Sequence, residues 1–145
     1  MKVRERECLD EVKKDGKEKR QRKSVRDDFY EQERYANQEL RRFRANYPEN
    51  AALIQNYVED ACDRMDYEGS RMYDEYPDRY MLKKNCASIS NRIKKDSETM
   101  GVEAGFAKKC QNLPKETLDD LVEVLFYNEV YRRRLRRRRG KRFYP

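Results

Sequence analysis

Between Arg132 and Arg142 nine of eleven side chains are basic: Arg132, Arg133, Arg134, Arg136, Arg137, Arg138, Arg139, Lys141 and Arg142. A guanidinium is a planar fork that meets the oxygens of a phosphate or carboxylate in pairs. The chemistry open to such a tract is anion capture, which on nucleic acid releases condensed counterions and is tight only at low salt. Backbone contacts of that kind position a protein without reading bases. The tract is therefore expected to bind a polyanion, nucleic acid first, without strong sequence specificity. Two plainer readings use the same residues: a solubilising tail, or a tail that docks on the chain's own acids around residues 59–78.

The second group that invites chemistry is the connector Asp66–Asp78. Tyr67, Tyr73, Tyr76 and, just beyond it, Tyr80 are interleaved there with Asp66, Glu68, Asp74, Glu75 and Asp78. Tyrosine supplies rigid amphipathic area at low entropic cost, so these four rings are candidates for protein contact. The alternative is that they cap the end of a helical bundle. A calcium loop is excluded, because counting from Asp66 the glycine position falls on Arg71 and the final carboxylate position on Pro77.

Catalysis finds little footing. The chain has no histidine, no glycine-rich phosphate loop, no G-x-S-x-G elbow and no C-x-x-C pair. Its four cysteines, Cys8, Cys62, Cys86 and Cys110, are expected to be free thiols, with Cys62 and Cys86 on apolar helix faces. Cys86 after Lys83 and Lys84, and Cys110 after Lys108 and Lys109, come nearest to an activated nucleophile. The chain is read as non-enzymatic, with no cofactor and no metal site.

These groups need elements to position them. Ser24 is an expected N-cap with Asp27 and Asp28 in the first turn, opening a helix with an intermittent stripe of Val25, Phe29, Ala36, Leu40 and Phe43 that ends before Pro48. From Pro48 and Asn50 a second helix carries Ala51, Ile54, Val58, Ala61, Cys62 and Met65 on one face and stops near Gly69. Pro77 suits the first turn of a third helix, with Leu82, Cys86, Ile89 and Ile93 in line, fraying by residues 96–101. A linker with one turn near Phe106 follows. Pro114 and a Thr117-x-x-Asp120 capping box then start the last helix, whose run from Leu121 to Tyr127 is apolar almost all round. No strand is predicted, since period-two alternation is absent.

Composition limits the partners. The 145 residues are 43% charged and 37% hydrophobic, with a mean hydropathy of -1.32 and a net charge of +7. Part of such a chain is expected to be disordered. The charge is polarised: residues 49–80 carry 3 basic and 9 acidic side chains, while 114–145 carry 10 basic and 5 acidic. A dipolar chain of this kind can pair with itself. No secretory h-region opens the sequence and no apolar run is long enough to span a membrane, so the cytosol is the expected compartment. Adsorption to a membrane surface through Leu121, Val122, Leu125 and Phe126 is disfavoured by Asp119, Asp120, Glu123 and Glu129 on the same helix.

Three strings, Cys62-Asp-Arg-Met-Asp-Tyr-Glu-Gly-Ser70, Tyr73-Asp-Glu-Tyr-Pro-Asp78 and Leu121-Val-Glu-Val-Leu-Phe-Tyr-Asn-Glu129 with its Tyr-Arg-Arg-Arg continuation, resemble a set of small proteins of Gram-positive anaerobic bacteria. That set has no assigned function, so the resemblance implies a bacterial, non-catalytic origin and no residue roles. Members of that set often carry cysteine in their basic tails, whereas this sequence has Lys-Arg-Phe-Tyr-Pro there, so tail cross-linking does not transfer.

The expected architecture is an all-α bundle of about four helices: a charged arm at 1–23, a helical domain at 24–131 and a basic tail at 132–145. The second, third and fourth helices should form its core, with the first two dozen and last ten residues poorly ordered. The leading function is polyanion binding, most of all nucleic acid, by the tail. The alternative is a structural or adaptor protein that forms a homo-oligomer, or takes a protein partner, through the acidic tyrosine loop and the apolar last helix. A membrane-surface binder is third.

Overall fold

The computed structural model describes residues 24–98 and 113–141. The expectations for the arm at 1–23, Cys8, Cys110, the turn near Phe106 and residues 142–145 fall outside them. Four helices order the described chain: α1 (Val25–Arg44), α2 (Glu49–Met65), α3 (Arg79–Glu98) and α4 (Lys115–Lys141), with one 3-10 turn at Arg71–Tyr73 between α2 and α3. Among the described residues there is no strand, and the fold is the small all-α bundle expected.

The chain divides into two units, Met1–Phe43 and Arg44–Pro145. The described part of the first unit is nearly all α1. Ser24 caps it as expected, its Oγ accepting from Asp27 N at 3.2 Å while its own N–H donates to Asp27 Oδ2 at 3.3 Å. Those two bonds satisfy backbone donors that a helix start leaves open. Its apolar stripe is too sparse to bury anything, and no residue of α1 is buried.

The second unit owes its core to three stripes. Ile54, Val58 and Cys62 on α2, Cys86, Ile89 and Ile93 on α3, and Leu118, Val122, Phe126 and Val130 on α4 are buried together with Met72 from the loop. Helix α4 packs against both α2 and α3. Its apolar run is therefore the centre of the bundle, with Phe126 fully enclosed and Val124 left in solvent. Cross-contacts fix the directions. Tyr57 Oη donates to Asp96 at 2.7 Å, Arg92 pairs with Asp60 at 2.7 Å and Asn85 reaches Met65 Sδ at 3.2 Å, so α3 runs antiparallel to α2. Gln55 and Asp63 of α2 meet Glu129 and Arg133 of α4 respectively, so these two helices run parallel.

Three boundaries differ from the sequence reading. Helix α2 ends at Met65, and Gly69 instead supplies a φ of +80° within a tight turn closed by Ser70 N donating to Tyr67 O at 3.1 Å. Pro77 precedes α3 instead of entering it, because Asp78 is the cap, with Oδ1 accepting from Tyr80 N at 3.1 Å. Thr117 is inside α4: Leu118 N donates to Pro114 O at 3.0 Å, so the proline sets the start and the capping box is not formed. No described helix is long and apolar enough to cross a membrane.

Replacing Phe126 by alanine empties the centre of the core and is expected to lower the unfolding free energy by about 3–5 kcal/mol. Phe43→Ala, at a ring 66% exposed, should change it by less than about 0.5 kcal/mol. Urea denaturation of the two variants measures the difference, and comparable losses would contradict this assignment of the core.

Candidate functional site: an arginine clamp on the acidic tyrosine loop

Helix α4 continues past Tyr131 into the basic segment. It runs on through Lys141 and carries the arginine tract as ordered helix. The reason lies in what the arginines meet. The α2–α3 connector, residues 66–78, folds over the end of the bundle that α4 passes, and that connector holds the acids.

The arrangement begins at Glu129. It falls on the buried stripe of α4, continuing Leu118, Val122 and Phe126 at helical spacing, and it is 1% exposed. Arg44 Nη2 donates to its Oε2 at 2.7 Å, Arg132 Nη2 to its Oε1 at 2.7 Å, Arg133 Nε to its Oε1 at 2.9 Å and Gln55 Nε2 to its Oε2 at 3.5 Å. Burial alone would raise the pKa of this carboxyl. The bonds from Arg132, Arg133 and Arg44 override that effect and hold it at about 2. Arg44 also pairs with Glu59, and its Nε is the one buried side-chain polar atom without a partner among the described residues.

Arg133 is next. It is buried, and its three guanidinium nitrogens are all used: Nε on Glu129, Nη2 on Asp63 at 2.6 Å and Nη1 on Asp66 at 3.1 Å. Burial opposes its charge, but the bonds to Glu129 and Asp63 raise its pKa further above the usual arginine range. A buried cation is tolerated only with partners of this quality.

Further along, the tract grips the loop. Arg134 Nη1 donates to the carbonyls of Met72 at 2.7 Å and Asp74 at 2.5 Å, and its Nη2 reaches Glu75 O at 3.4 Å. Arg136 pairs with Asp66 at 3.5 Å. Arg137 stacks over the Tyr73 ring with its guanidinium carbon 4.0 Å from the centroid, and Tyr73 Oη donates to Asp66. Burial, then the bond to Asp66, raises the Tyr73 pKa. Of the nine candidate polyanion residues, Arg132, Arg133, Arg134, Arg136 and Arg137 are thus engaged within the chain. Arg138, Arg139 and Lys141 lie exposed on the last turn of α4, and Arg142 is outside the described residues.

The four tyrosine candidates separate as well. Tyr73 is a packing residue, whereas Tyr67, Tyr76 and Tyr80 are 60%, 86% and 74% exposed. The carboxylates of Glu68, Asp74, Glu75 and Asp78 are exposed beside them. The two described thiols are poorly ionised: burial pushes Cys62 up to about 12 and Cys86 up to about 11, with Glu123 adding to the second effect. Among the described residues no group of acids and cysteines has the geometry to hold a metal ion.

Sequence reasoning missed Glu129, Asp63 and Arg44. Glu129 did carry a signal, since it occupies an apolar-stripe position three and four residues before Arg132 and Arg133. Arg44 carried none, being 85 residues from its partner. No protein family, no curated protein and no solved structure matches the chain.

Because the Glu129 carboxyl is held near 2 in the folded chain and titrates near 4.3 when unfolded, its stabilisation is full above that value and is lost as pH falls toward 2. Glu129→Gln is expected to destabilise the bundle by about 3–5 kcal/mol at neutral pH. It should also flatten the acid limb of the stability–pH curve, and an unchanged acid limb would contradict this role. Arg134→Ala removes the bonds to three loop carbonyls. Hydrogen exchange at residues 73–76 should accelerate by about tenfold or more, with the α2 and α3 core amides unaffected.

Proposed function

We propose that this chain is a non-enzymatic interaction module that presents its acidic tyrosine loop to a basic protein surface, with the arginine tract as the scaffold of that loop. One observation carries the reading. Tyr67, Tyr76 and Tyr80 stand exposed, among four exposed carboxylates, on a segment whose backbone is gripped by Arg134 and whose Asp66 and Tyr73 are gripped by Arg133, Arg136 and Arg137. A loop fixed in advance loses little entropy on binding, and rigid aromatic rings beside exposed charge are what an interface core and its rim require.

Polyanion binding is the second reading, and it is favoured by the exposure of Arg138, Arg139 and Lys141 at the end of α4. With Arg142 that makes four cations, which on duplex DNA would give a log-log salt slope of about -3 to -4. The full tract acting together would give about twice that.

The two readings part in one titration. The isotope-labelled full chain is titrated with a lysine- and arginine-rich peptide carrying one aromatic residue, with random duplex and single-stranded nucleic acid, and with anionic vesicles, across a salt series. The peptide is expected to shift amides 67–80, and a Tyr67→Ala, Tyr76→Ala, Tyr80→Ala triple variant should weaken it by more than about thirtyfold. If the loop amides stay still while nucleic acid binds with the slope given above and is lost on neutralising Arg138, Arg139 and Lys141, the polyanion reading replaces this one.

A further inference from the structure

Beneath the tyrosine loop, between it and the first turns of α3, lies a cavity of about 320 Å³. Half of its lining is apolar, with Met65, Met72, Met81 and Leu82 in it, and half is polar, with Tyr67, Arg71 and Asp78 among the residues. Arg71 Nη1 leans on Met81 Sδ at 3.5 Å. Thioethers adapt their shape to an incoming group and make favourable contacts with aromatic rings. Benzene needs a cavity of about 150 Å³, so by volume this groove has room for a ring, with its polar half left to the ring's substituents. A guanidinium in the lining favours the face of an aromatic ring above an aliphatic chain.

The surroundings specify the charge of the rest of the ligand. Glu68, Asp74, Glu75 and Asp78 are exposed around the loop, whereas the neighbouring arginines of α4 are turned to Asp63, Asp66 and the loop carbonyls. The fitting occupant is therefore a basic segment that ends its run of cations with an aromatic residue. This chain carries that sequence itself, in Arg138-Arg139-Gly140-Lys141-Arg142-Phe143-Tyr144.

We infer that the pocket under the acidic tyrosine loop seats Phe143 from the basic C-terminal segment of a second copy, while the four exposed carboxylates take the cations that precede it. The assignment rests on the reading of the loop as the partner surface. The pocket is not lined by α4, which carries the chain on through Lys141, beyond the arginines that meet the loop. Phe143 of the same chain would have to reverse along its own helix within two residues, a backbone span of at most about 7 Å, whereas a second copy presents the ring without that reversal. A contact in which one patch meets a different patch on the next copy is heterologous, so it propagates open chains instead of closing a dimer.

Sedimentation velocity and light scattering of the full chain over a concentration series at low salt test the assignment, beside three full-length variants. Wild type should grow in mass with concentration. Phe143→Ala should weaken association by about thirtyfold or more, Phe143→Tyr should retain it, and Glu68→Lys with Glu75→Lys should weaken it while leaving the circular dichroism and melting of the bundle unchanged. In parallel, a peptide of residues 138–145 should shift the methyl signals of Met65, Met72 and Met81. If Phe143→Ala assembles like wild type while the charge reversal does not, the second-copy ring is overturned and the loop reading survives. If wild type stays monomeric throughout, or the methionine methyls do not respond to the peptide, the inference is likewise overturned, and the loop reading is then decided by the loop amides in the titration above.

Discussion

A single carboxylate with almost no contact with water governs the second unit. Glu129 occupies a position that the periodicity of α4 reserves for an apolar side chain, and a charge there is tolerable only if donors surround it. Arg44, Gln55, Arg132 and Arg133 are those donors. Once Arg133 is drawn inward, its remaining nitrogens require acids of their own, which are Asp63 and Asp66 at the end of α2. Fixing Asp66 in turn fixes Tyr73, and Tyr73 gives Arg137 a face to stack on. The order of the loop thus descends, bond by bond, from one buried anion.

This chain of dependence explains why a tract that looks like a nucleic-acid tail behaves as part of the fold. Five of its arginines find partners inside the chain at distances that water-separated ions would not keep. Pairs at the surface contribute little singly, but Glu129 and Arg133 are buried, and removing either leaves an uncompensated charge. The loop consequently has two faces of different character. Its backbone and Asp66 are turned to α4, while Tyr67, Tyr76, Tyr80 and the other carboxylates are turned to solvent.

How much of this was legible beforehand depended on the range of the interaction. Ser24 with Asp27, and the stripes Ile54–Val58–Cys62 and Cys86–Ile89–Ile93, are local patterns, and each produced the expected helix. The Thr117 box was equally local and misled, because Pro114 three residues earlier had already supplied the first carbonyl of α4. The stripe of α1 was read correctly as intermittent, yet periodicity does not say how much burial a sparse stripe achieves. The clamp itself pairs residues about 60 to 70 positions apart. Net charges of opposite sign in residues 49–80 and 114–145 make the two attract, but a count of charges has no geometry, and only the parallel course of α2 and α4 decides which arginine finds which acid.

That parallel course also shapes the field of the molecule. Two of the three core helices deliver their carbonyl ends, and so the negative poles of their peptide dipoles, to the same end of the bundle. The connector adds its carboxylates to that pole. An end so negative would repel itself apart, and the arginines of α4 stand where the combined dipole most needs countercharge. The tract is then the internal counterion of a polar bundle: the formal surplus of +7 is unchanged by the pairing, but beside the loop the engaged arginines and the acids largely cancel one another's local potential.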